Sequence, residues 1–434
     1  MDINAETIKA QAAKLKKQGF GDIFFSSVFA EFISFIVFVF VVRSFPKVDY
    51  GNYGIAYNIY GYINVFVGLG LCNGILQYCS EQRSDEQKKA IYLFSSRLGL
   101  IFSVLFLAII PVMSFIFLKD DPRQYFIIMS GWPIVSFLSN FNLIRLRIIR
   151  DNRHFMISNV VSALIFIISV IPLTRFIGIT GYIVAFYLKY ISSYILARVF
   201  VPNFEKHDKI EKLSKSFKFE IIKYSLICCI TNFVSQILML VDVTCINIFL
   251  DDPTIVASYK AATQIPVALL FIPSSVITFI FPYLAENNQN PAWLKKISKK
   301  LILGVFLMNL LVAVFVILLA PIIVKVLWGE KYNDAAPILR ILAFNFLITG
   351  SFNTVFGNIM VAVKKVNINL IKTAICSSLN IVLNIIWIRK FGSFGAAYAT
   401  VIVSVCSSVF AVSYFIYWLK AQERKAVRKE NVDV

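Results

Sequence analysis

Histidine and charge are scarce in this sequence of 434 residues. It has two histidines, His154 and His207, and Asp, Glu, Lys and Arg make up 15% of the chain, compared with about 25% in an ordinary soluble domain. Hydrophobic residues reach 58%, more apolar surface than a water-facing fold covers. The composition therefore argues against a soluble protein, and the histidine count leaves little material for a histidine-based catalytic or metal site.

The seven cysteines also exclude some classes of protein. They form no CxxC pair and no disulfide framework, and all lie inside apolar runs, where a thiol behaves as a small buried hydrophobe. Residues 1–19 are polar and lack the apolar segment and cleavage site of a signal peptide. We expect no metal, no cofactor and no removal of an N-terminal segment.

Apolar runs long enough to cross about 30 Å of hydrocarbon occur twelve times. They cover residues 21–42, 50–78, 92–118, 124–144, 155–174, 179–200, 218–248, 254–284, 301–327, 336–362, 368–388 and 394–419. Runs longer than about 25 residues must tilt, bend or project from the membrane. The sequence predicts an all-α integral membrane protein with about twelve transmembrane helices.

The distribution of Lys and Arg predicts the orientation. Alternate loops carry 30 and 9 of these residues, the richer side including both termini. Because cytoplasmic loops are enriched in Lys and Arg, both termini are expected to be cytoplasmic. The formal net charge of +19 is then a consequence of topology, and no nucleic-acid partner is expected.

A sequence motif repeats before the sixth and the twelfth span. The repeated positions are Arg175, Gly178 and Gly181, which correspond to Arg389, Gly392 and Gly395. Six spans per repeat is an even number, so the halves are parallel repeats, as in many secondary transporters. We predict two six-helix lobes, residues 1–205 and residues 206–434.

Six ionisable residues fall inside predicted spans, where each costs at least about 2.5 kcal/mol on insertion scales and marks a functional site by default. They are Glu31, Arg97, Lys189, Asp242, Lys260 and Arg340. Four are cations, which favours an anionic substrate. Structural roles stay open for several of them. Asp242 and Lys260 could form a buried ion pair, Arg97 could extend to the interface, and Arg340 could be interfacial.

Neutral polar residues extend these positions along helical faces. In the eighth span Gln264 follows Lys260 on the same helical face, one turn later. The seventh span carries Asn232 and Gln236 together with Asp242. The second span is rich in tyrosine, glycine and asparagine, with Tyr57 and Asn64 as candidates for contact with sugars; its first tyrosines could instead form an interfacial belt. Pro266, Pro273 and Pro282 predict bends in the eighth span.

The twelve spans, the parallel duplication, the embedded Asp242 and the repeated Arg-x-x-Gly-x-x-Gly motif resemble the multidrug/oligosaccharidyl-lipid/polysaccharide exporter superfamily. Within it, the chain is most similar to Wzx-type flippases of O-antigen and capsular repeat units. The resemblance covers essentially the whole chain.

The resemblance implies alternating access and a central cavity lined by the first, second, seventh and eighth spans. It implies an undecaprenyl-pyrophosphate-linked oligosaccharide as substrate, flipped across the bacterial inner membrane without chemistry on the substrate, so the protein would be a transporter and not an enzyme. Lys260, Lys189 and Arg340 would attract the pyrophosphate or acidic sugars, and Glu31 or Asp242 would couple transport to an ion. A polymerase and a chain-length regulator of the same pathway are possible partners.

Two alternatives remain open at this point. A cation-coupled multidrug antiporter shares the twelve spans and would use Glu31 and Asp242 to bind cations. A membrane glycosyltransferase would need an essential acidic or histidine residue at a membrane face and a sizeable loop, and the sequence shows neither.

Overall fold

The structure is a computed structural model that describes residues 20–81, 83–200, 212–288 and 290–430. Within these ranges every regular element is a helix and no strand occurs. The predicted all-α fold is therefore confirmed.

The first half of the described chain contains eight α-helices, numbered here in chain order. They are α1 (Phe20–Ser44), α2 (Lys47–Asn64), α3 (Leu71–Ser80), α4 (Asp85–Phe117), α5 (Asp120–Ile128), α6 (Trp132–Ile148), α7 (Asn152–Ile177) and α8 (Ile179–Phe200). Two short 3-10 segments, Val67–Gly70 and Met129–Gly131, lie between α2 and α3 and between α5 and α6.

The second half of the described chain contains eight more. They are α9 (Lys215–Leu250), α10 (Pro253–Leu269), α11 (Phe271–Glu286), α12 (Pro291–Trp328), α13 (Ala335–Ile348), α14 (Thr354–Ala362), α15 (Val366–Phe391) and α16 (Ser393–Glu430). A 3-10 segment, Glu330–Tyr332, precedes α13, and a π-helical turn, Thr349–Asn353, joins α13 to α14.

Eleven helices or helix pairs in the described chain are long and apolar enough to cross a membrane. A twelfth span results if Lys47–Asn64 and Val67–Cys79, which are bent by 44° relative to each other, count as one. Each of the twelve predicted runs thus coincides with a helical span. The long helices α4, α9, α12 and α16 extend beyond the predicted runs, because helical hydrogen bonding continues past the apolar segment.

Side chains at several loops define where the helices begin. Ser84 Oγ accepts a hydrogen bond from the Gln87 amide at the start of α4, and Asn290 Oδ1 accepts one from the Trp293 amide at the start of α12. Asp252 does the same at the start of α10. Such caps satisfy amides that have no partner within the helix, so the loops fix the helix starts.

The chain divides into two compact units, Met1–Phe233 and Val234–Val434, with the division inside α9. Large aromatic side chains, among them Trp132, Phe137 and Phe166, are fully buried in the first unit, as Trp328 and Phe346 are in the second. Large apolar side chains such as Leu311 and Leu318 on α12 are exposed, as expected for a surface that faces lipid. The predicted lobe boundary between residues 205 and 206 lies outside the described residues and stays a prediction.

Helix breaks are the feature that hydropathy did not locate. The second span breaks at Val67–Gly70, where Gly68 and Leu69 have positive φ angles of 66° and 50°. The eighth span is interrupted at Leu270, between Pro266 and Pro273, at one of the bends that the prolines predicted. The tenth span contains the π turn, which neither a proline nor any other sequence feature indicated.

Candidate functional site

The predicted residues of the first unit gather around Lys189. The Lys189 ammonium donates a hydrogen bond of 3.3 Å to Ser34 Oγ on α1 and lies 5.0 Å from the centroid of the Phe166 ring. Glu31, one turn before Ser34, interacts electrostatically with Lys189 and with Tyr57. The structure thus brings an anion, a cation and a phenol together on α1, α8 and α2.

Tyr57 differs from its neighbours in the tyrosine-rich second span. Its side chain is 38% exposed, whereas Tyr53 and Tyr60 are 3% and 5% exposed and belong to the core. The Tyr57 ring stacks on Tyr53 with a centroid distance of 5.8 Å and meets Trp132 edge-on at 6.2 Å. Most of these tyrosines therefore build an aromatic core, and Tyr57 is the one of these three whose ring a ligand can reach.

Asn64 and Asn232 are less closely tied to this group. Asn64 is exposed at the end of α2 and accepts a hydrogen bond of 3.2 Å from the Tyr60 hydroxyl. Asn232 is exposed on α9. Within the described residues no contact joins either of them to Lys189, so their membership of a common site stays a prediction.

Asp242 is the centre of a hydrogen-bond network in the second unit. The carboxylate is 7% exposed, and four neutral groups donate to it. The donors are the Tyr259 hydroxyl (2.6 Å), Asn380 Nδ2 (3.1 Å), Asn384 Nδ2 (2.9 Å) and the Thr400 hydroxyl. Neutral donors stabilise an ionised carboxylate without cancelling its charge, so the group keeps the ability to take up a cation.

The Asp242 network contains one acceptor that receives no hydrogen bond from the described residues. Asn384 Oδ1 is buried and has no hydrogen-bond partner among the described residues, although Asn384 Nδ2 donates to Asp242 and to Asn380. Buried polar atoms are normally satisfied, so this oxygen marks a place for a small donor or cation beside the carboxylate. The described residues contain no group of three or more His, Cys, Asp and Glu side chains that could hold a metal ion.

Lys260, Gln264 and Gln236 lie in the same unit. Lys260 is half-buried on α10, one residue after Tyr259, and Gln264 follows one turn later, also half-buried. Gln236 is half-buried on α9, two turns before Asp242. Because Tyr259 turns toward Asp242 and Lys260 is the next residue, the lysine projects about 100° around the helix from the tyrosine.

Arg340 has a different environment. Its side chain is exposed on α13, and Nε donates a hydrogen bond of 3.1 Å to the carbonyl oxygen of Ile317 on α12. This contact joins two neighbouring helices. A role in substrate binding stays a prediction for Arg340.

Sequence reasoning missed the neutral partners of Asp242 and one buried cation. Asn380 and Asn384 are one turn apart on α15, a spacing that was visible in the sequence, and Thr400 is on α16. Lys372, which the topology assigned to a loop, is buried on α15. Uncharged polar residues are common in membrane helices, so only the fold shows which of them surround a charge.

Two curated relatives resemble the chain. An uncharacterised membrane protein of Methanocaldococcus jannaschii is 25% identical over an alignment that covers 89% of this chain and 79% of that protein. A probable low-salt glycan biosynthesis flippase of Haloferax volcanii is 24% identical, but the alignment covers only 45% of this chain and 41% of the flippase.

Solved structures share the fold. A multidrug resistance MATE family transporter of the exporter superfamily, in an inward-facing conformation, matches with a TM-score of 0.78 at 15% identity, over 91% of this chain and 96% of that one. The lipid II flippase MurJ matches with a TM-score of 0.72 at 17% identity, over 90% of this chain and 87% of that one. These similarities show that the chain shares the fold of these two membrane transporters.

The family assignment rests on the sequence itself. Residues 17–288 match the family described as "Polysaccharide biosynthesis protein". The Haloferax volcanii protein and the two solved structures above are described as a probable flippase, a transporter and a flippase, in agreement with the expectation of a transporter that performs no chemistry on its substrate. The match covers more than half of the 434 residues, so this chain belongs to the polysaccharide biosynthesis protein family.

Proposed function

We propose that the protein flips a lipid-linked oligosaccharide across a membrane by alternating access. The family and the glycan flippase of Haloferax volcanii support a glycan substrate. The observation that carries the proposal is the pair of half-buried lysines inside membrane spans, Lys189 and Lys260. A lysine in a low-dielectric setting attracts a phosphate or pyrophosphate strongly.

The surroundings of Lys189 suit a sugar phosphate. Within the described part of the chain its ammonium makes one hydrogen bond, to Ser34, which leaves two N–H donors for oxygen atoms of a ligand. The exposed ring of Tyr57 offers a face on which a sugar can stack and a hydroxyl for hydrogen bonding. We assign Lys189, Lys260 and Tyr57 to headgroup binding, with Asn64, Asn232, Gln236, Gln264 and Arg340 as further proposed contacts.

We further propose that Asp242 couples transport to a cation. The four neutral donors and the unsatisfied Asn384 oxygen suit alternation between a charged carboxylate and a proton- or cation-bound one. Glu31 is a second candidate, although its carboxylate is exposed and lies near Lys189. The finer proposal is an O-antigen or capsular repeat unit on undecaprenyl pyrophosphate in a bacterial inner membrane, with both termini cytoplasmic and a polymerase and chain-length regulator as partners.

The test is deletion and rescue in the organism that makes the surface glycan. We expect Lys189→Ala and Lys260→Ala to lower surface polymer by about tenfold or more and to leave repeat units on the cytoplasmic leaflet. Lys→Arg at the same positions should rescue in part, because the charge is kept. Lys364→Ala, which removes an exposed lysine in the turn after α14, is the matched control and should behave as wild type.

Two outcomes would contradict the proposal. Normal polymer in the Lys260→Ala and Lys189→Ala strains would assign both lysines to structure. Intact polymer after deletion of the whole gene, together with increased sensitivity to cationic drugs, would instead support a multidrug antiporter.

A further inference from the structure

Lys372 is a buried cation that the function proposed above does not use. It lies on α15, inside the span Asn367–Phe391, and is 8% exposed. Among the described residues its ammonium has neither a carboxylate partner nor a hydrogen-bond acceptor. The titratable group that interacts with it is the Cys376 thiol, one turn further along α15. An ionisable residue inside a membrane span is by default a candidate functional group.

A chain of polar side chains begins at the Asp242 carboxylate and runs along α16. Thr400 donates to Asp242, and Ser404 follows Thr400 after one turn of α16. Ser404 Oγ accepts a hydrogen bond of 3.2 Å from the Thr349 hydroxyl in the π turn. Asn353, at the other end of that turn, donates to the Ser404 carbonyl oxygen at 3.3 Å. The chain thus passes from α16 to the π turn.

The chain continues from the π turn to Lys372. The Ser407 hydroxyl donates to Asn353 Oδ1 at 2.7 Å, and the same hydroxyl lies beside the Cys376 thiol. One turn before Cys376 on α15 is Lys372. All these groups belong to the second unit, and we refer to them as the polar column: Asp242, Thr400, Ser404, Thr349, Asn353, Ser407, Cys376 and Lys372.

The π turn explains how the middle of the column forms. A π turn adds one residue to a helical turn and is often found at functional sites. Here it turns Thr349 and Asn353 toward Ser404 and Ser407 on α16. Beside it Asn309, fully buried on α12, donates to Ser351 at 3.1 Å, and its Oδ1 atom has no partner in the described part of the chain. Such an oxygen in a polar interior is a position for water.

We propose that the polar column is a proton path that connects Lys372 with Asp242. The inference rests on the coupling role proposed for Asp242. It specifies a proton as the coupling ion and the polar column as its route. A fixed ammonium in low dielectric repels an alkali cation, whereas an amine passes a proton on and takes another from solution. Serine and threonine hydroxyls both donate and accept, and the amide of Asn353 orients them.

The proton balance of the path is simple. The Lys372 ammonium gives one proton to the hydroxyls and water of the column, the Asp242 carboxylate takes up one proton at the other end, and the Lys372 amine regains one proton from the solution. Besides the column itself, the titratable groups beside its ends are Tyr259 and Cys245 at Asp242 and Cys406 near Cys376.

The first test uses Cys376 as a native reporter and needs no substrate. In a full-length variant that keeps Cys376 and replaces the other six cysteines, the infrared S–H band should exchange in D2O. The control variant keeps only Cys229, a buried thiol of the first unit whose sulfur lies 3.3 Å from the Val65 carbonyl oxygen. We expect Cys376 to exchange about tenfold faster or more than Cys229. Equal rates would overturn the proposal, because the column would then be dry.

The second test follows the proton to Asp242. After a pH jump, the carboxylic C=O band that disappears in Asp242→Asn reports protonation of Asp242. We expect Lys372→Met, and independently Asn353→Leu, to slow this protonation by about tenfold or more, because each interrupts the path. Lys364→Met should leave the rate unchanged.

Wild-type protonation rates in both Lys372→Met and Asn353→Leu would overturn the path. Neither measurement requires the glycan, so a failure of the flippase assignment and a failure of the path give different results. Thermal unfolding of each variant distinguishes a folded variant in which Asp242 is protonated slowly from a protein that no longer folds.

Discussion

At the scale of single residues, Asp242 shows how a buried charge is kept in a membrane helix. Its four hydrogen bonds come from hydroxyls and amides on α10, α15 and α16. A hydrogen bond to a charged group contributes about 1.5–3 kcal/mol net, which offsets part of the cost of burying the carboxylate. A cation that binds to Asp242 must therefore compete with these four donors for the carboxylate oxygens.

Replacement of Asp242 by Asn imitates the neutral form of the carboxylate. The shape is kept, and the Tyr259 and Thr400 hydroxyls can accept from the new amide as well as donate. Because a hydrogen-bonded neutral amide costs less to bury than an ionised carboxylate, the melting temperature should not fall. We expect flipping to lose its dependence on the ion gradient, a reduction of gradient-driven transport by about tenfold or more.

The measurement for Asp242→Asn is flipping in liposomes with and without an imposed gradient, with exposed Glu286→Gln as the control. A variant that still responds to the gradient like the wild type would assign the coupling elsewhere, with Glu31 as the next candidate.

Tyr187 illustrates a residue that maintains a helix break. Its hydroxyl donates to the Ile128 carbonyl oxygen at 2.5 Å and accepts from the Gly131 amide at 3.0 Å. These are backbone groups at the 3-10 segment Met129–Gly131. Tyr187→Phe leaves both unpaired, and a buried polar group without a partner costs about 1–3 kcal/mol. We expect a lower melting temperature for Tyr187→Phe, whereas Tyr417→Phe, whose ring is 70% exposed, should change it little.

Single residues also differ in whether the sequence could predict them as candidates for the site. Glu31, Lys189, Asp242 and Lys260 could be singled out as candidates from the sequence because a charge in an apolar run is rare, and their roles in the site stay predictions. Asn380 and Thr400 were not, because their importance depends on which helix each one faces. Lys372 was missed because its position near the start of a span matched a loop in the charge pattern.

At the scale of helices, the repeated glycine motif has a direct physical explanation. Gly178 and Gly392 end α7 and α15 with positive φ angles of 63° and 59°. Three residues later, a Cβ atom on Gly181 would lie 2.3 Å from the Leu173 carbonyl oxygen, and one on Gly395 would lie 2.3 Å from the Trp387 carbonyl oxygen. Both repeats therefore need glycine so that the next helix can turn back closely.

Alanine at either of these later glycines should destabilise the protein. Overpacking costs about 1–3 kcal/mol, and here the obstacle is backbone, which cannot rotate away. We expect Gly181→Ala and Gly395→Ala each to lower the melting temperature measured in detergent. The control is Gly304→Ala on α12, where the new methyl group meets no atom within 4 Å and helix propensity improves by about 1 kcal/mol. Equal melting temperatures for all three would contradict this reading of the motif.

Hydropathy located the spans well because each must present about 20 apolar residues to lipid. It did not locate the break at Val67–Gly70 or the π turn at Thr349–Asn353, because both leave the apolar content of their spans unchanged. These breaks depend on neighbouring side chains, as when Phe137 occupies the place of a Cβ atom on Gly68. Local contacts of this kind are absent from a one-dimensional pattern.

At the scale of the whole molecule, the charge pattern predicts which end of each helix faces the cytoplasm. Glu286 ends α11 and Glu330 follows α12, so the 38-residue helix α12 separates them. Both are exposed. The Lys-rich start of α12 lies on the same side as Glu286, and the positive-inside rule assigns that side to the cytoplasm.

Cysteine substitutions at these two sites test the orientation. In a background without the seven native cysteines, a membrane-impermeant thiol reagent should label Glu330→Cys in intact cells and Glu286→Cys only after permeabilisation. Loss of the exposed Lys325–Glu330 ion pair should matter little, since such pairs contribute about 0–1 kcal/mol. The reverse labelling pattern would place the termini outside and would assign the Lys372 end of the polar column to the outer face, where the direction of proton flow would be the opposite.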